Sequence, residues 1–436
     1  MATADKSIAY VRTEMVGEKP PPPASTGIIG WMRQNLFSDI LSTILTLVAI
    51  YLIYAILAGV LPWMFRGVWN AGSLNECREI LAEEYGEGVG GACWAVIRER
   101  FWQLMYGFYP SNQYWRPNMA FILLIAAIAP VLFEKLPRWM IVFTIAVPFV
   151  GPWLLWGGTI WVPVVAFAGF VIGVLVNRLV ANATSSLLGL IAGVLAAIVW
   201  WLLLAGPVVN ALASVVPLGL EPVASRNFGG FMLAITLGVT GIALSFPLGI
   251  VLALGRQSNL VIVKSLCVGF IEFIRGVPLI TLLFVASVLL NYFLPKGTQF
   301  DIILRVMIMI TLFAAAYMAE VIRGGLAALP KGQYEAADAL GLTYWQAQRL
   351  IIMPQALKIA IPGIVSTFIG LFKDTTLVSI IGLSDPIGWA KLIQANSEWN
   401  GIVWELYGFI AFVFFLFCFS MGRYSMYLER KLQTGH

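Results

Sequence analysis

Residues 332–354 read GQYEAADALGLTYWQAQRLIIMP. One apolar run ends near Glu320 and another resumes near Ile359, with charges between them at Lys331, Glu335, Asp338, Arg349 and Lys358. A plain connection between membrane helices is much shorter. Ala336, Leu340, Tyr344, Ala347 and Ile351 recur at steps of four, four, three and four, which makes one stripe of a helix. Gly341 interrupts that helix and Pro354 ends it, so two short helices with a bend are expected. An amphipathic helix lying on a membrane explains the stripe. It does not explain the small alanines at its start, which serve where another surface approaches closely.

The surrounding chain is 60% hydrophobic and only 11% charged over 436 residues, against about 25% charged in soluble domains. Composition therefore points to an all-α polytopic membrane protein, since a soluble fold would expose far too much apolar surface. A span needs roughly 20 apolar residues. Ten runs meet or approach that length: 40–64, 119–133, 139–156, 160–176, 187–205, 231–254, 266–294, 302–322, 359–383 and 402–424. The net charge of +5 fits an excess of Lys and Arg on the inner face and makes no case for nucleic acid. The one histidine, His436, argues against histidine-dependent catalysis and histidine-ligated metals. No cleavable signal peptide is visible in the polar first 30 residues.

Placing the N-terminus inside gives the inner segments most of the Lys and Arg, while the short outer loops hold only Arg226, Lys296 and Lys391. The expected organisation follows. Residues 1–37 are a cytoplasmic, proline-containing tail, disordered or extended, and 38–64 the first span. Residues 65–117 are a small helical periplasmic insertion, and 118–206 hold four further spans. Residues 207–229 form a periplasmic linker and 230–430 a five-span core, with 332–354 in the cytoplasm and both termini inside. Cys77 and Cys93 share the outer insertion, where they either pair as a disulfide or stand as two free thiols. Cys267 and Cys418 fall in apolar spans as small hydrophobes.

EAADALGLTYWQAQRLIIMP resembles the EAA loop of ABC importer permeases: Glu335, Ala336, Ala337, Gly341, Ile351 and Pro354 match in register, with Met353 where the family usually has Leu. EFIRGVPLITLLF, AAAYMAEVIRGGLAALPKGQYEAADALG and FKDTTLVSIIGL are similar to polar-amino-acid permeases of the histidine/glutamine type. The likeness covers about residues 229–432. The extra spans and the cysteine-bearing loop resemble the long permease subunit of bacterial general L-amino-acid importers of the inner membrane. The resemblance implies an ABC importer core in 230–430 and a transport subunit that is not itself an enzyme. ATP and Mg would be used by a separate ATPase, as a homodimer. A second, related permease would complete a heterodimer, and a periplasmic binding protein would deliver the amino acid. No G-x-x-x-x-G-K-[ST] occurs in this chain. In the implied mechanism Glu335 anchors the ATPase, Ala336 and Ala337 allow close packing, and Gly341 makes the bend.

Ionisable residues at membrane depth are rare and face protein or water. Lys373 and Asp374 fall roughly mid-bilayer in the ninth run, and Thr375, Thr376 and Ser379 add hydroxyls. They are read as a substrate path or gate, or as a structural ion pair. Glu320, near the inner end of its span, meets the substrate ammonium or pairs with Arg275 or Arg323. Arg275, Gly276 and Pro278 match the family's R-G-x-P signature at the inner face, with Leu282 where many relatives carry Gln. Two competing classes are a membrane-embedded enzyme, which lacks clustered acids and histidines, and a proton-coupled secondary amino acid transporter relaying protons through Glu320 and Asp374. The second leaves residues 332–354 without a task.

Overall fold

The computed structural model describes residues 27–133, 135–289, 292 and 300–432. The tail before residue 27, the close of the seventh apolar run, Lys296 and His436 lie outside these. The chain forms two units, residues 1–68 with 78–93, and residues 69–77 with 94–436.

In the first unit α1 (Gly27–Asn35) is helical within the expected tail, because an apolar IIGWM follows the proline-rich stretch. Its Ile28, Ile29 and Trp31 are exposed, as on a helix lying at a membrane surface. The helix α2 (Ile40–Phe65) is capped by Asp39, which accepts from the Ser42 N–H. None of its residues is buried, so an apolar surface all round marks it for lipid. The Arg66 guanidinium lies 5.7 Å from the centre of the Tyr85 ring. Tyr85 ends α3 (Leu74–Tyr85).

In the second unit the insertion continues with α4 (Ala95–Tyr106). Four further spans follow: α5 (Trp115–Leu132), α6 (Ile141–Trp156), α7 (Trp161–Ala183), and a stretch made of α8 (Ser186–Val199), a π-turn and α9 (Ala205–Val215). Gly157 and Gly158 have φ of 75° and 90°, which lets α6 reverse into α7 within a few residues. Gly158–Thr159 pairs antiparallel with Gly219–Leu220. These paired dipeptides are the sheet among the described residues.

Arg116 ties this bundle to the loop before the core. It is fully buried. It donates to the carbonyls of Leu154 at 2.6 Å and Glu221 at 2.8 Å, and to Gln113. Trp156 donates to Ser225 at 2.7 Å and stacks on Phe228. A charge this deep needs such saturation of its donors.

The core comprises α10 (Gly230–Gln257), α11 (Val261–Gly276), α12 (Leu279–Phe284) running into a π-turn, α13 (Ile302–Ala327), α14 (Lys331–Ala339), α15 (Tyr344–Ala347), α16 (Met353–Asp374), α17 (Pro386–Gln394) and α18 (Trp404–Leu432). Gly238, Gly241, Ser245, Gly249 and Ala253 form one buried stripe of α10. Gly241 packs on Ile310 and Gly249 on Met318, so small residues bring α10 against α13.

Among the described residues nine helices are long and apolar enough to span, and a bent pair makes ten. That pair corrects the seventh expected span. The run is two helices, Val261–Gly276 and Leu279–Leu289, bent by 100°. Pro278 is the cause, because the residue before a proline is pushed out of the helical region. Val277 is extended at φ −109°, ψ 132°.

Candidate functional site

Residues 331–354 build a knuckle with an exposed outer side. The helix α14 stops where Gly341 takes φ 68°, a left-handed conformation that other residues adopt at a penalty of roughly 1–2 kcal/mol. The Gly341 N–H donates to Asp338 and the Leu342 N–H to Ala337, satisfying the last carbonyls of α14. Thr343 then caps α15 reciprocally with Gln346. The sequence placed a break at Pro354; the structure does not. A π-turn over Gln348–Ile352 passes directly into α16, with Pro354 in its first turn, where a missing N–H does no harm. The two short helices are therefore asymmetric: α14 is separate, while α15 is continuous with a span.

Of the expected stripe, Ala336, Leu340 and Tyr344 face outward, while Ala347 is half-buried and Ile351 packs against the core. Ala337, Gln348 and Ile352 are buried, each one position after the stripe residues Ala336, Ala347 and Ile351. Leu340 is 72% and Trp345 70% exposed, and Tyr344 is exposed with them. Glu335 and Ala336 are exposed on the same knuckle. Gln355 holds the base together, donating to Gln333 and to the Ile351 carbonyl at 2.9 Å each.

Below the knuckle, α16 packs on α13 through glycine contacts. Gly325 abuts the Ala356 carbonyl and Gly363 abuts Val321. Next to Val321 stands Glu320, which brings together three arginines. Its carboxylate accepts from Arg323 Nε at 2.7 Å and Arg256 at 3.2 Å, and lies 3.6 Å from Arg275. Arg256 also meets Glu272 at 2.9 Å. Arg256 and Glu272 were missed by sequence reasoning. Arg256 is a basic residue in the last turn of α10, but nothing local says which carboxylate it meets. Glu320 is 21% exposed, so each pair is screened and contributes about 0–1 kcal/mol. The shared carboxylate matters more, because without it three guanidinium groups face one another.

Arg275, Gly276 and Pro278 flank the break between α11 and α12. Leu282 is buried with Ile274 and Ala316, so an apolar side chain fills this position. Lys373 and Asp374 close the α-helical part of a candidate span that runs on to Ile381. The helix α16 has 22 residues and ends at Asp374, about 33 Å from its start, so the pair sits at the end away from the knuckle. No ion pair joins them among the described residues, and Lys373 is exposed. A 3-10 helix, Thr375–Ile381, follows. In it Thr375, Thr376 and Ser379 each donate to the carbonyl three residues back. The structure does not bring this group to Glu320: Gly363, level with Val321, lies about ten residues or 15 Å of helix away. Cys77 and Cys93 are disulfide-bonded, while Cys267 and Cys418 are free.

Residues 245–434 match the family described as binding-protein-dependent transport system inner membrane component. The whole chain is similar to the glutamate/glutamine/aspartate/asparagine transport system permease protein BztC of Rhodobacter capsulatus, 58% identical over 98% of this chain and 99% of that one. It is 39% identical, over 97% of this chain and 99% of the relative, to the inner membrane amino-acid ABC transporter permease protein YhdY of Escherichia coli K12. A shorter relative, the probable glutamine ABC transporter permease protein GlnP of Bacillus subtilis, is 32% identical over 46% of this chain and 90% of its own length.

Proposed function

The chain belongs to the amino-acid ABC transporter permeases, a multi-pass membrane family, and on that premise we propose that its knuckle is the surface through which an ATPase drives uptake. The observation that carries this is the outward stripe Ala336, Leu340, Tyr344 with Trp345 beside it. Large apolar groups in a charged, exposed turn need a partner, and a groove on a soluble ATPase subunit supplies one. Glu335 anchors the contact and the exposed alanine lets the partner approach.

Closure of two identical ATPase subunits, each using ATP and Mg, pushes the knuckle inward. Because α15 runs through its π-turn into α16, the push moves a whole span. The Gly325–Ala356 and Gly363–Val321 contacts pass it to α13 and so to Glu320. Glu320 holds Arg275 at the hinge between α11 and α12, and Arg256 on α10. The ion cluster is thus the latch of the inner gate, with Arg275, Gly276 and Pro278 as the hinge. Lys373, Asp374, Thr375, Thr376 and Ser379 lie at the opposite end of the path, toward the periplasm. Both termini face the cytoplasm of a bacterial inner membrane. A related second permease completes the pathway, and a periplasmic binding protein delivers the substrate.

The Rhodobacter capsulatus relative is named for glutamate, glutamine, aspartate and asparagine, and we assign the same class of substrate here. The test is uptake of labelled glutamate into proteoliposomes holding the two permeases and the ATPase, with binding protein outside. Uptake that requires luminal ATP and survives a protonophore supports the assignment. Uptake by this chain alone that collapses with the proton gradient replaces it with proton-coupled transport.

A further inference from the structure

Beside the ion cluster the surface dips into a wide-open hollow of about 600 Å³, lined among others by Arg256, Lys264, Val268, Arg323 and Tyr334. Its lining carries cations and an aromatic hydroxyl. Counting Arg275 and the partners behind the wall, four cations, Arg256, Lys264, Arg275 and Arg323, stand against two carboxylates, Glu272 and Glu320. Two positive charges remain in excess. Lys264 makes no ion pair among the described residues and is exposed.

What lies next to the hollow narrows the ligand. Lys264 and Val268 belong to α11, and on that helix Val261, Ile262, Leu266 and Phe273 are between 64% and 77% exposed. A free anion has no use for this apolar face, and a water-soluble protein would leave it unsolvated at the membrane surface. A molecule with a negative headgroup and hydrocarbon chains fits both halves. Basic recesses between spans at the membrane interface bind phospholipid headgroups in this way.

We propose that this hollow binds an anionic phospholipid, its phosphate on Arg256, Lys264 and Arg323 and its acyl chains along the apolar face of α11. Tyr334 donates its hydroxyl to the headgroup. Since Tyr334 belongs to α14 and Arg256 and Arg323 belong to the ion cluster, the lipid would bridge the knuckle to that cluster. The inference goes beyond the transport assignment, and its test needs no transport.

The full chain, purified in a neutral detergent, is titrated with dioleoylphosphatidylglycerol, dioleoylphosphatidylcholine or glycerol phosphate, and retention is read by native mass spectrometry. Phosphatidylglycerol is expected to stay bound and phosphatidylcholine to be lost. A surface Lys contributes about 1 kcal/mol toward an anionic lipid. Lys264→Gln should therefore weaken retention about fivefold and Lys264→Glu, a change of two charges, about thirtyfold. Both substitutions are at an exposed position, and size-exclusion chromatography checks the fold. Equal retention of the two lipids, or wild-type retention by Lys264→Glu, overturns the proposal. Displacement by glycerol phosphate at the lipid's own concentration reassigns the hollow to a free anion. Loss of bound lipid when the ATPase subunits are present reassigns it to a protein contact.

Discussion

Arg275 lies 3.6 Å from Glu320, and its guanidinium sits 5.6 Å from the ring of Tyr317, one turn earlier on the same helix. The residue beside the 100° break is therefore held by two groups of a different span. Arg256 and Arg323 share the same carboxylate.

Replacing Glu320 by Gln leaves the side chain in place and removes the charge. Three guanidinium groups then repel one another in a partly buried pocket. We expect uptake by the assembled transporter to fall at least about tenfold, with thermal stability lowered by about 1–2 kcal/mol. Initial rates and a detergent melting curve measure both. Unchanged transport would overturn the proposed gate role of Glu320.

Arg116 makes a different prediction because it has no gate to serve. Its donors are saturated by backbone carbonyls of Leu154 and Glu221 and by Gln113. Arg116→Ala leaves those neutral acceptors unpaired in the interior and should destabilise by about 1–3 kcal/mol for each one left unsatisfied. Arg116→Met, which keeps volume, should recover part of this. Melting temperatures of the two variants decide the matter, and equal melting with wild type would show the joint to be dispensable.

Asp385 is fully buried at the N-terminus of α17. Burial pushes its carboxyl up to about 6, partly offset by the Gly388 and Ile387 N–H groups that it accepts. The folded chain then holds this proton more tightly than the unfolded chain, whose carboxyl keeps its ordinary value of 3.8. The resulting stability is complete below the lower value and is lost as pH rises to about 6. Between about pH 5 and pH 7.5 the loss is on the order of 1 kcal/mol. Asp385→Asn, an equally good cap, should lose this part of the pH dependence. A variant with the wild-type slope would contradict the assignment.

The Cys77–Cys93 disulfide closes a short loop in the insertion, and such a link contributes about 3 kcal/mol. A maleimide added to unreduced, denatured protein should label two cysteines, and four after reduction. Four labels without reductant would contradict a disulfide in the mature protein.

Much of this was legible in the residues. Apolar run length found the spans, because lipid demands internally bonded helices. The EAA spacing and Gly341 located the knuckle, because a left-handed turn needs glycine. What failed had physical causes. Pro354 does not break the helix, since a preceding π-turn makes it a first-turn residue. The five-residue stripe divides, with 336, 340 and 344 outward and Ala347 and Ile351 turned inward, because Gly341 separates the two helices and resets the face. Leu266 onward was read as one span because apolarity carries no information about a bend. Arg256 and Glu272 were invisible as partners, since 64 residues separate Arg256 from Glu320.

The knuckle is the proposed point of drive. The most direct measurement is ATP-driven uptake, with ATPase co-purification, of the assembled transporter carrying Leu340→Asp and Trp345→Asp. Both side chains are exposed in this chain, so its fold and abundance should be unchanged. Loss of ATPase co-purification and an uptake rate reduced at least about tenfold are the predicted results. Wild-type coupling and uptake would contradict the account.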